Sequence, residues 1–202
     1  MLEKIYNGKH LSKLDKIMQW EDKETVRSES VSTHSYKTTV FCSVLLDDVF
    51  PGFDNPEWNA LKVKCMNRAL FHDWDETFIS RDISHEVKYN KYNGECIRDT
   101  LDKYARAAAA EDFGLKSVIG SSMFLDKAAD FGVYSIVKLC DWMAMSYFIK
   151  REQSLGNTSL NDVIPIIVTN MQRCCESVKD FVVMMGGKEA VLNKLIESLK
   201  TF

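Results

Sequence analysis

Two histidines and two aspartates, spread over three segments of the chain, have the residue types of a metal site. His34 lies in ESVSTHSYK, His72 and Asp73 are adjacent in ALFHDWDE, and Asp141 interrupts the apolar run IVKLCDWMAM. Two imidazoles and two carboxylates suit a divalent transition ion such as Co²⁺, Mn²⁺, Fe²⁺ or Zn²⁺, with water at the open positions. We therefore interpret these four residues as candidate ligands of one metal ion.

Each candidate ligand also has an ordinary structural explanation. A lone helix histidine is more often part of a core than a ligand, and Asp141 could pair with Lys138 or with an arginine. An aspartate inside an apolar helix is costly, however, unless it is paired or binds a cation. The four residues in this order, on three predicted helices, form a much more specific pattern than any one of them alone.

The spacing around the histidine-aspartate pair predicts how these side chains share a cavity. On a helix, the adjacent side chains of His72 and Asp73 diverge by about 100°, which suits two ligands that approach one ion from a helix edge. Glu76 lies four residues after His72 and three after Asp73, so helical spacing turns it toward the same cavity. Alternatively, the charged stretch WDETF is a solvated helix edge.

Helical spacing dominates the whole chain, and strand-type alternation is scarce. The predicted helices span 11–20, a segment from Ser30 or Ser32 with Val40, Phe41, Val44 and Leu45 on its apolar side, Pro56 to beyond His72, 95–111, 124–152, a sixth helix, and a short seventh at 188–199. No repeat, low-complexity tract or linker interrupts them. We therefore predict one all-α domain over residues 1–202, a bundle of about six to seven helices.

The composition excludes several classes of partner. The net charge of −3 gives no general attraction to nucleic-acid polymers or anionic membranes. The first residues lack the apolar core of a signal peptide, and no apolar run is long enough to span a bilayer. The six cysteines form no CxxC pair. We therefore expect a reduced, cytoplasmic protein that binds no membrane.

The order H…HD…D resembles the signature of the HD-domain metal-dependent phosphohydrolases. The most similar group is the YfbR-like 5′-deoxynucleotidases, which are related to the eukaryotic HD-domain-containing nucleotidases. Four stretches carry the resemblance: Trp20, VRSESVSTHS, ALFHDWDETFISRDI followed by VKY, and IVKLCDWMAM. The resemblance is strongest over residues 8–155 and implies a single HD domain, with the C-terminal helices of residues 156–202 packing on it.

The resemblance implies a role for each residue of the candidate site. The matching metal ligands are His34, His72, Asp73 and Asp141. Glu76 matches an acidic residue that handles protons during hydrolysis. Asp82 matches an aspartate in the next loop that lies by the substrate, although this chain carries one extra residue before it. Asp82 could equally be a turn residue.

The resemblance also implies substrate contacts. Trp20 matches an aromatic residue that packs against the nucleoside and disfavours a ribose 2′-hydroxyl, and Lys88 and Lys138 are candidate phosphate contacts. Trp20 could instead anchor the first helix on the core, and lysines beside polar loops usually face solvent. One departure affects the substrate pocket: the related nucleotidases carry arginine immediately before the tryptophan, whereas this chain has Gln19, and Arg27 is a candidate replacement.

The implied activity is the removal of the 5′-phosphate from deoxyribonucleoside monophosphates by metal-activated water. A dATP-type triphosphohydrolase with the same metal site is an alternative, and a catalytically inert helical interaction protein is a third. Only His85 lies between the histidine-aspartate pair and Asp141, so we predict one metal ion rather than two. The expected partner is a deoxynucleotide substrate, and the resemblance is compatible with a homo-oligomer.

Overall fold

A computed structural model describes residues 11–52, 54–83, 87–88, 91–92, 95–97, 100–101, 104 and 130–199. Within these residues the α-helices are α1 Leu11–Leu14, α2 Val31–Val49, α3 Pro56–Leu70, α4 Glu76–Ile79, α5 Phe131–Ser154, α6 Ile164–Met184 and α7 Glu189–Leu199. A 3-10 turn, Asn161–Val163, precedes α6, and two-residue segments, β1 Lys91–Tyr92 and β2 Glu95–Cys96, pair antiparallel. The prediction of an all-α fold is confirmed.

Local capping chemistry starts the two helices that lead into the site. The Ser30 side chain accepts a hydrogen bond from the Thr33 amide at 3.2 Å and begins α2. The Asn55 side chain accepts from the Glu57 and Trp58 amides, and Pro56 stands in the first turn of α3. Both starts follow the predicted signals, because asparagine and serine satisfy the free amides of a helix start.

The long helix α5 forms the centre of the bundle. It packs against α2, α3 and α6. Its buried apolar residues point in most directions around the axis and include Ile136, Leu139, Cys140, Ala144 and Ile149, which is the pattern of a helix enclosed by others. Among the described residues, we find no helix with the length and apolar content that crossing a bilayer requires.

The first predicted helix is wrong in its extent, because α1 ends at Leu14 instead of Trp20. The following backbone bonds sideways to the segment before α2. The Gln19 amide donates to the Glu29 carbonyl at 2.7 Å, and the Val31 amide donates to the Ile17 carbonyl at 2.8 Å. Residues 15–30 therefore form a strap whose two ends are hydrogen-bonded to each other, through backbone groups that a helix would have used along its own axis.

The predicted apolar side of α2 is wrong for two of its four residues. Val40 and Val44 are 43% and 56% exposed, whereas Leu45 is buried and Phe41 is partly buried. The buried face is instead formed by a stripe that includes His34, Ser35, Thr38, Cys42 and Leu46. The sequence of α2 has apolar residues on both sides of the helix, so it does not determine which side is buried. The positions of α3 and α5 determine which side is enclosed.

The remaining boundaries differ from prediction in part. The helix expected over 95–111 lies mostly outside the described residues. Its first two residues belong to β2, whereas the described residues 97, 100, 101 and 104 are helical. The helix expected over 124–152 begins in the described part of the chain at Phe131 and ends at Ser154, while 124–129 lie outside it. The last helix covers Glu189–Leu199, close to its predicted bounds.

Candidate metal centre

The helix that leads to the histidine-aspartate pair ends before it. We predicted that α3 continues past His72, and this is wrong: α3 ends at Leu70 and a turn connects it to α4. The Nδ1 atom of His72 lies 2.7 Å from the Ala69 carbonyl oxygen, to which it donates; a continuing helix would use this acceptor for the Asp73 amide. Because of the turn, His72 and Asp73 do not splay apart, and His72 Nε2 lies 3.0 Å from Asp73 Oδ2.

Three of the predicted ligands converge on one point from three segments of the chain. His34 comes from the first turns of α2, His72 from the turn after α3, and Asp141 from the middle of α5. Their ligand atoms all lie within 4.8 Å of one another. Asp141 Oδ1 lies 2.9 Å from His34 Nε2 and 3.5 Å from His72 Nε2. This cluster has the nitrogen and oxygen donors of a divalent-metal site.

The hydrogen-bonding state of His72 shows that the cluster fits a cation. Because Nδ1 donates its hydrogen to a carbonyl, the Nε2 atom of the neutral ring carries a lone pair. That Nε2 is buried without a hydrogen-bond partner, and it faces carboxylate oxygens of Asp73 and Asp141. Lone pairs that face one another in a buried site require a positive charge between them. A metal ion supplies that charge, with the Ala69 carbonyl fixing the ring orientation.

Asp73 is the fourth predicted ligand, and the structure holds it at the edge of the cluster. Its Oδ2 approaches His72, but its Oδ1 lies 3.1 Å from the ammonium nitrogen of Lys88. In the described residues, Asp73 is therefore not part of the group whose ligand atoms converge within 4.8 Å. Lys88 and His72 therefore contact different oxygens of the same carboxylate.

The electrostatics of the cluster favour bound positive charge. Burial lowers the pKa of His34, but Asp141 and Glu29 act against it and raise the pKa to about 10. Burial also lowers the pKa of His72, but Asp73 and Asp141 outweigh burial and leave this pKa above its usual value. The negative charge that holds protons on these rings is the charge that a metal ion would neutralise when the rings are deprotonated.

Glu76 lines the same cavity as the histidine-aspartate pair. It is the first residue of α4 and is 1% exposed, so it is not the solvated helix edge of the alternative interpretation. Burial, followed by the nearby Asp73 carboxylate, raises the pKa of Glu76 well above its usual value. Its Oε2 is buried with no hydrogen-bond partner. A carboxyl group in this state can carry a proton near neutral pH.

The two predicted phosphate-contacting lysines both touch the carboxylates of the site. Lys88 is 7% exposed, and its Nζ lies 2.5 Å from Glu76 Oε1 and 3.1 Å from Asp73 Oδ1. Lys138 Nζ lies 2.5 Å from Asp141 Oδ2, so the pairing with Lys138 that the sequence left open does occur. It occupies one oxygen of Asp141 and leaves Oδ1 facing the histidines.

The structure separates the predicted substrate contacts into two groups. Gln19 and Asp82 line the cavity together with Glu76, Lys88 and Lys138. Trp20 and Arg27 are not among its lining residues.

The Trp20 ring stacks on Phe148 with centroids 6.2 Å apart, and its amide donates to Asp82 Oδ2 at 3.0 Å. Arg27 is exposed, and its amide donates to Glu152.

Two charged residues near the site were missed by the sequence analysis. Arg68, in the last turn of α3, lines the cavity; its position four residues before His72 was an available signal. Glu29, in the strap, is 4% exposed, and its Oε1 lies 3.6 Å from His34 Nδ1. No spacing rule indicated Glu29, because the strap that turns it inward is not a helix.

Comparison with known proteins agrees with this fold. The chain matches the YfbR-like 5′-deoxynucleotidase family over residues 8–186, whereas no curated protein sequence matches it significantly. It is similar in structure to an HD-domain phosphohydrolase from Listeria innocua, with a TM-score of 0.52 and 19% sequence identity, over 97% of this chain and 86% of that one. The protein is a hydrolase of the HD superfamily, and the chain belongs to the YfbR-like 5′-deoxynucleotidase family.

Proposed function

We propose that this protein removes the 5′-phosphate from deoxyribonucleoside monophosphates, using one divalent ion of the Co²⁺, Mn²⁺, Fe²⁺ and Zn²⁺ class. One observation carries the proposal: the cavity that receives the convergent His72 and Asp141 is also lined by a protonatable carboxyl group, Glu76, and by cationic side chains. Hydrolysis of a phosphate ester needs these three elements together.

The histidine and aspartate side chains would hold the ion. His34 and His72 offer their Nε2 atoms and Asp141 offers Oδ1, and Asp73 Oδ2 lies beside His72 to complete the set. Such an ion supplies Lewis-acid activation of water and neutralises charge on a phosphoryl oxygen. The donor set contains no thiolate, which favours borderline and hard divalent ions.

The remaining residues would position the phosphate and move protons. Lys88, Lys138 and Arg68 place positive charge around the cavity, where it neutralises the phosphate oxygens. Glu76 exchanges a proton with the attacking water or with the leaving 5′-oxygen through its Oε2 atom. The Trp20 amide holds Asp82 against the same cavity. Gln19 also lines the cavity, and its side-chain amide offers a neutral hydrogen-bonding contact.

A second candidate function is hydrolysis of deoxynucleoside triphosphates. The observation that favours it is the presence of Arg68 as a third cation among the residues that line the cavity. This charge suits a ligand with more than one phosphate group. The two functions differ in product, since one releases phosphate from a monophosphate and the other releases polyphosphate or successive phosphates from a triphosphate.

The test is hydrolysis by metal-stripped protein resupplied with each divalent ion, on panels of deoxynucleoside mono- and triphosphates. Asp141→Asn removes a ligand charge, and Asp48→Asn, at an exposed position of α2, is the matched control. Release of phosphate from monophosphates that is lost only in Asp141→Asn supports the proposal. Turnover of triphosphates alone supports the second candidate. If no nucleotide is hydrolysed with any ion, both candidate functions are contradicted, and the catalytically inert interaction protein is the remaining alternative.

A further inference from the structure

The two ring nitrogens of His34 face carboxylates on opposite sides. Nε2 lies 2.9 Å from Asp141 Oδ1, and Nδ1 lies 3.6 Å from Glu29 Oε1. The side chains of His34 and Glu29 are 1% and 3% exposed, so water does not separate their charges from each other. Glu29 Oε1 is buried and has no hydrogen-bond partner. A movement of about 0.6 Å would bring Oε1 and Nδ1 into ordinary hydrogen-bonding distance.

We propose that Glu29 is a positioning residue that fixes the tautomer of His34. A carboxylate beside Nδ1 holds the ring hydrogen there and leaves the lone pair on Nε2, the atom that faces Asp141 and the candidate metal position. For His72, the Ala69 carbonyl has this role. The inference rests on the proposed metal site and adds to it the residue that prepares His34 for binding.

Lys37 determines which oxygen of Glu29 is available to His34. Lys37 lies one helical turn after His34 on α2, and its ammonium group pairs with Oε2 of Glu29. The ammonium is also 5.6 Å from the ring centre of Tyr147 and 5.9 Å from that of Phe148, both on α5. The aromatic rings therefore help to hold the cation over Oε2. Oε1 is left to face the imidazole.

This arrangement makes a specific prediction for Glu29→Gln, which has nearly the same shape. Lys37 donates hydrogens and accepts none, so it takes the amide oxygen of the new side chain. The amide NH₂ then faces Nδ1 of His34 and favours the tautomer with hydrogen on Nε2, which cannot bind a metal through that atom. Adding Lys37→Met removes this constraint, because the amide oxygen is then free to turn toward Nδ1.

A purely structural role for Glu29 predicts a different result. Glu29 also belongs to the strap, and its carbonyl accepts the Gln19 amide. Glu152 is an equally buried carboxylate that holds the same strap through the amides of Val26 and Arg27, without touching His34. Glu152→Gln therefore loosens the strap and leaves the imidazole unchanged, so it is the matched control.

The test is Co²⁺ binding to the metal-stripped full chain, measured by competition with a chelator and by the visible absorption of the bound ion. We expect Glu29→Gln to weaken Co²⁺ binding by about 10- to 100-fold, as loss of an outer carboxylate does in other metal sites. Its absorption spectrum should change as well. We expect Glu152→Gln to stay within about twofold of wild type, and the Glu29→Gln, Lys37→Met double variant to recover most of the affinity lost in Glu29→Gln.

The inference is overturned if Glu29→Gln binds Co²⁺ as wild type does, if Glu152→Gln is weakened as much, or if the double variant recovers nothing. These outcomes leave the proposed function standing, because wild-type binding is intact in each. A wild-type protein that binds no divalent ion overturns the proposed function and this inference together.

Discussion

The carboxylate at the end of α5 should contribute strongly to stability, and Glu152→Gln removes its charge without changing its shape. Oε2 of Glu152 accepts from the Val26 amide at 2.6 Å and from Asn157 Nδ2 at 2.7 Å, and Oε1 accepts from the Arg27 amide at 3.1 Å. Hydrogen bonds to a charged group are worth about 1.5–3 kcal/mol, against about 0.5–1.5 kcal/mol for neutral ones.

Glutamine retains an oxygen for the two bonds at Oε2 and loses their charge assistance, at a cost of about 1 kcal/mol each. Its NH₂ group then meets the Arg27 amide, which costs about another 1 kcal/mol because two donors face each other. We therefore expect the free energy of unfolding to fall by about 2–4 kcal/mol at neutral pH.

The pH dependence follows from the pKa of Glu152. Burial raises this pKa, but the hydrogen bonds from Asn157, Val26 and Arg27 outweigh burial and leave it below its usual value. A carboxyl group whose pKa is lower in the folded state stabilises the fold above its unfolded pKa, which is about 4.3 for glutamate. This contribution is lost as the pH falls through the folded pKa. The stability difference between wild type and Glu152→Gln should therefore narrow below about pH 4.

The assay is urea unfolding followed by far-ultraviolet circular dichroism, repeated over a pH series. Glu176→Gln, at an exposed position of α6, is the control and should change stability by less than about 0.5 kcal/mol. The reasoning is refuted if Glu152→Gln is as stable as wild type at neutral pH. It is refuted equally if the difference between the two proteins widens toward acid.

Three further predictions concern the cavity, the core and the metal. Arg68→Gln should raise KM for the phosphate substrate by about tenfold, because it removes a cation from the cavity wall, whereas exposed Arg27→Gln should leave KM unchanged; equal effects in steady-state kinetics would contradict this. Gly132→Ala should lower the free energy of unfolding in urea by about 1–3 kcal/mol, since its Cβ would lie 2.4 Å from Cδ2 of Phe181, and unchanged stability would show that the ring yields freely. Chelation should lower the melting temperature and divalent metal should restore it, because the ion binds the folded chain; an unchanged melting temperature would count against a metal that stabilises the fold.

Much of the architecture is encoded locally and was readable from the sequence. The 3.6-residue spacing indicates helices throughout, and the caps at Ser30 and Asn55-Pro56 mark the starts of α2 and α3. An aspartate within the apolar α5 predicts a buried polar centre, and Asp141 lies in one. These features depend on a residue and its near neighbours in the chain, so no tertiary contact is needed to infer them.

Features that depend on packing between distant segments were decided only by the tertiary structure. Helical spacing predicted that α3 continues through His72. In the structure α3 ends at Leu70, and the His72 imidazole donates a hydrogen bond to the Ala69 carbonyl, which a longer helix would have used. The sequence does not distinguish the two apolar faces of α2. In the structure α3 and α5 enclose one face, and Val40 and Val44 on the other face are exposed.

The same distinction holds at the metal centre. The sequence by itself determined the ligand types and their order, because a side chain's donor atoms are a property of the residue. Tertiary structure decided that Asp73 is shared with Lys88 and that Glu29 stands behind His34. Each of these contacts joins residues that are not placed together by a single helix, and the free energy of burying their charges is defined only once the helices have packed.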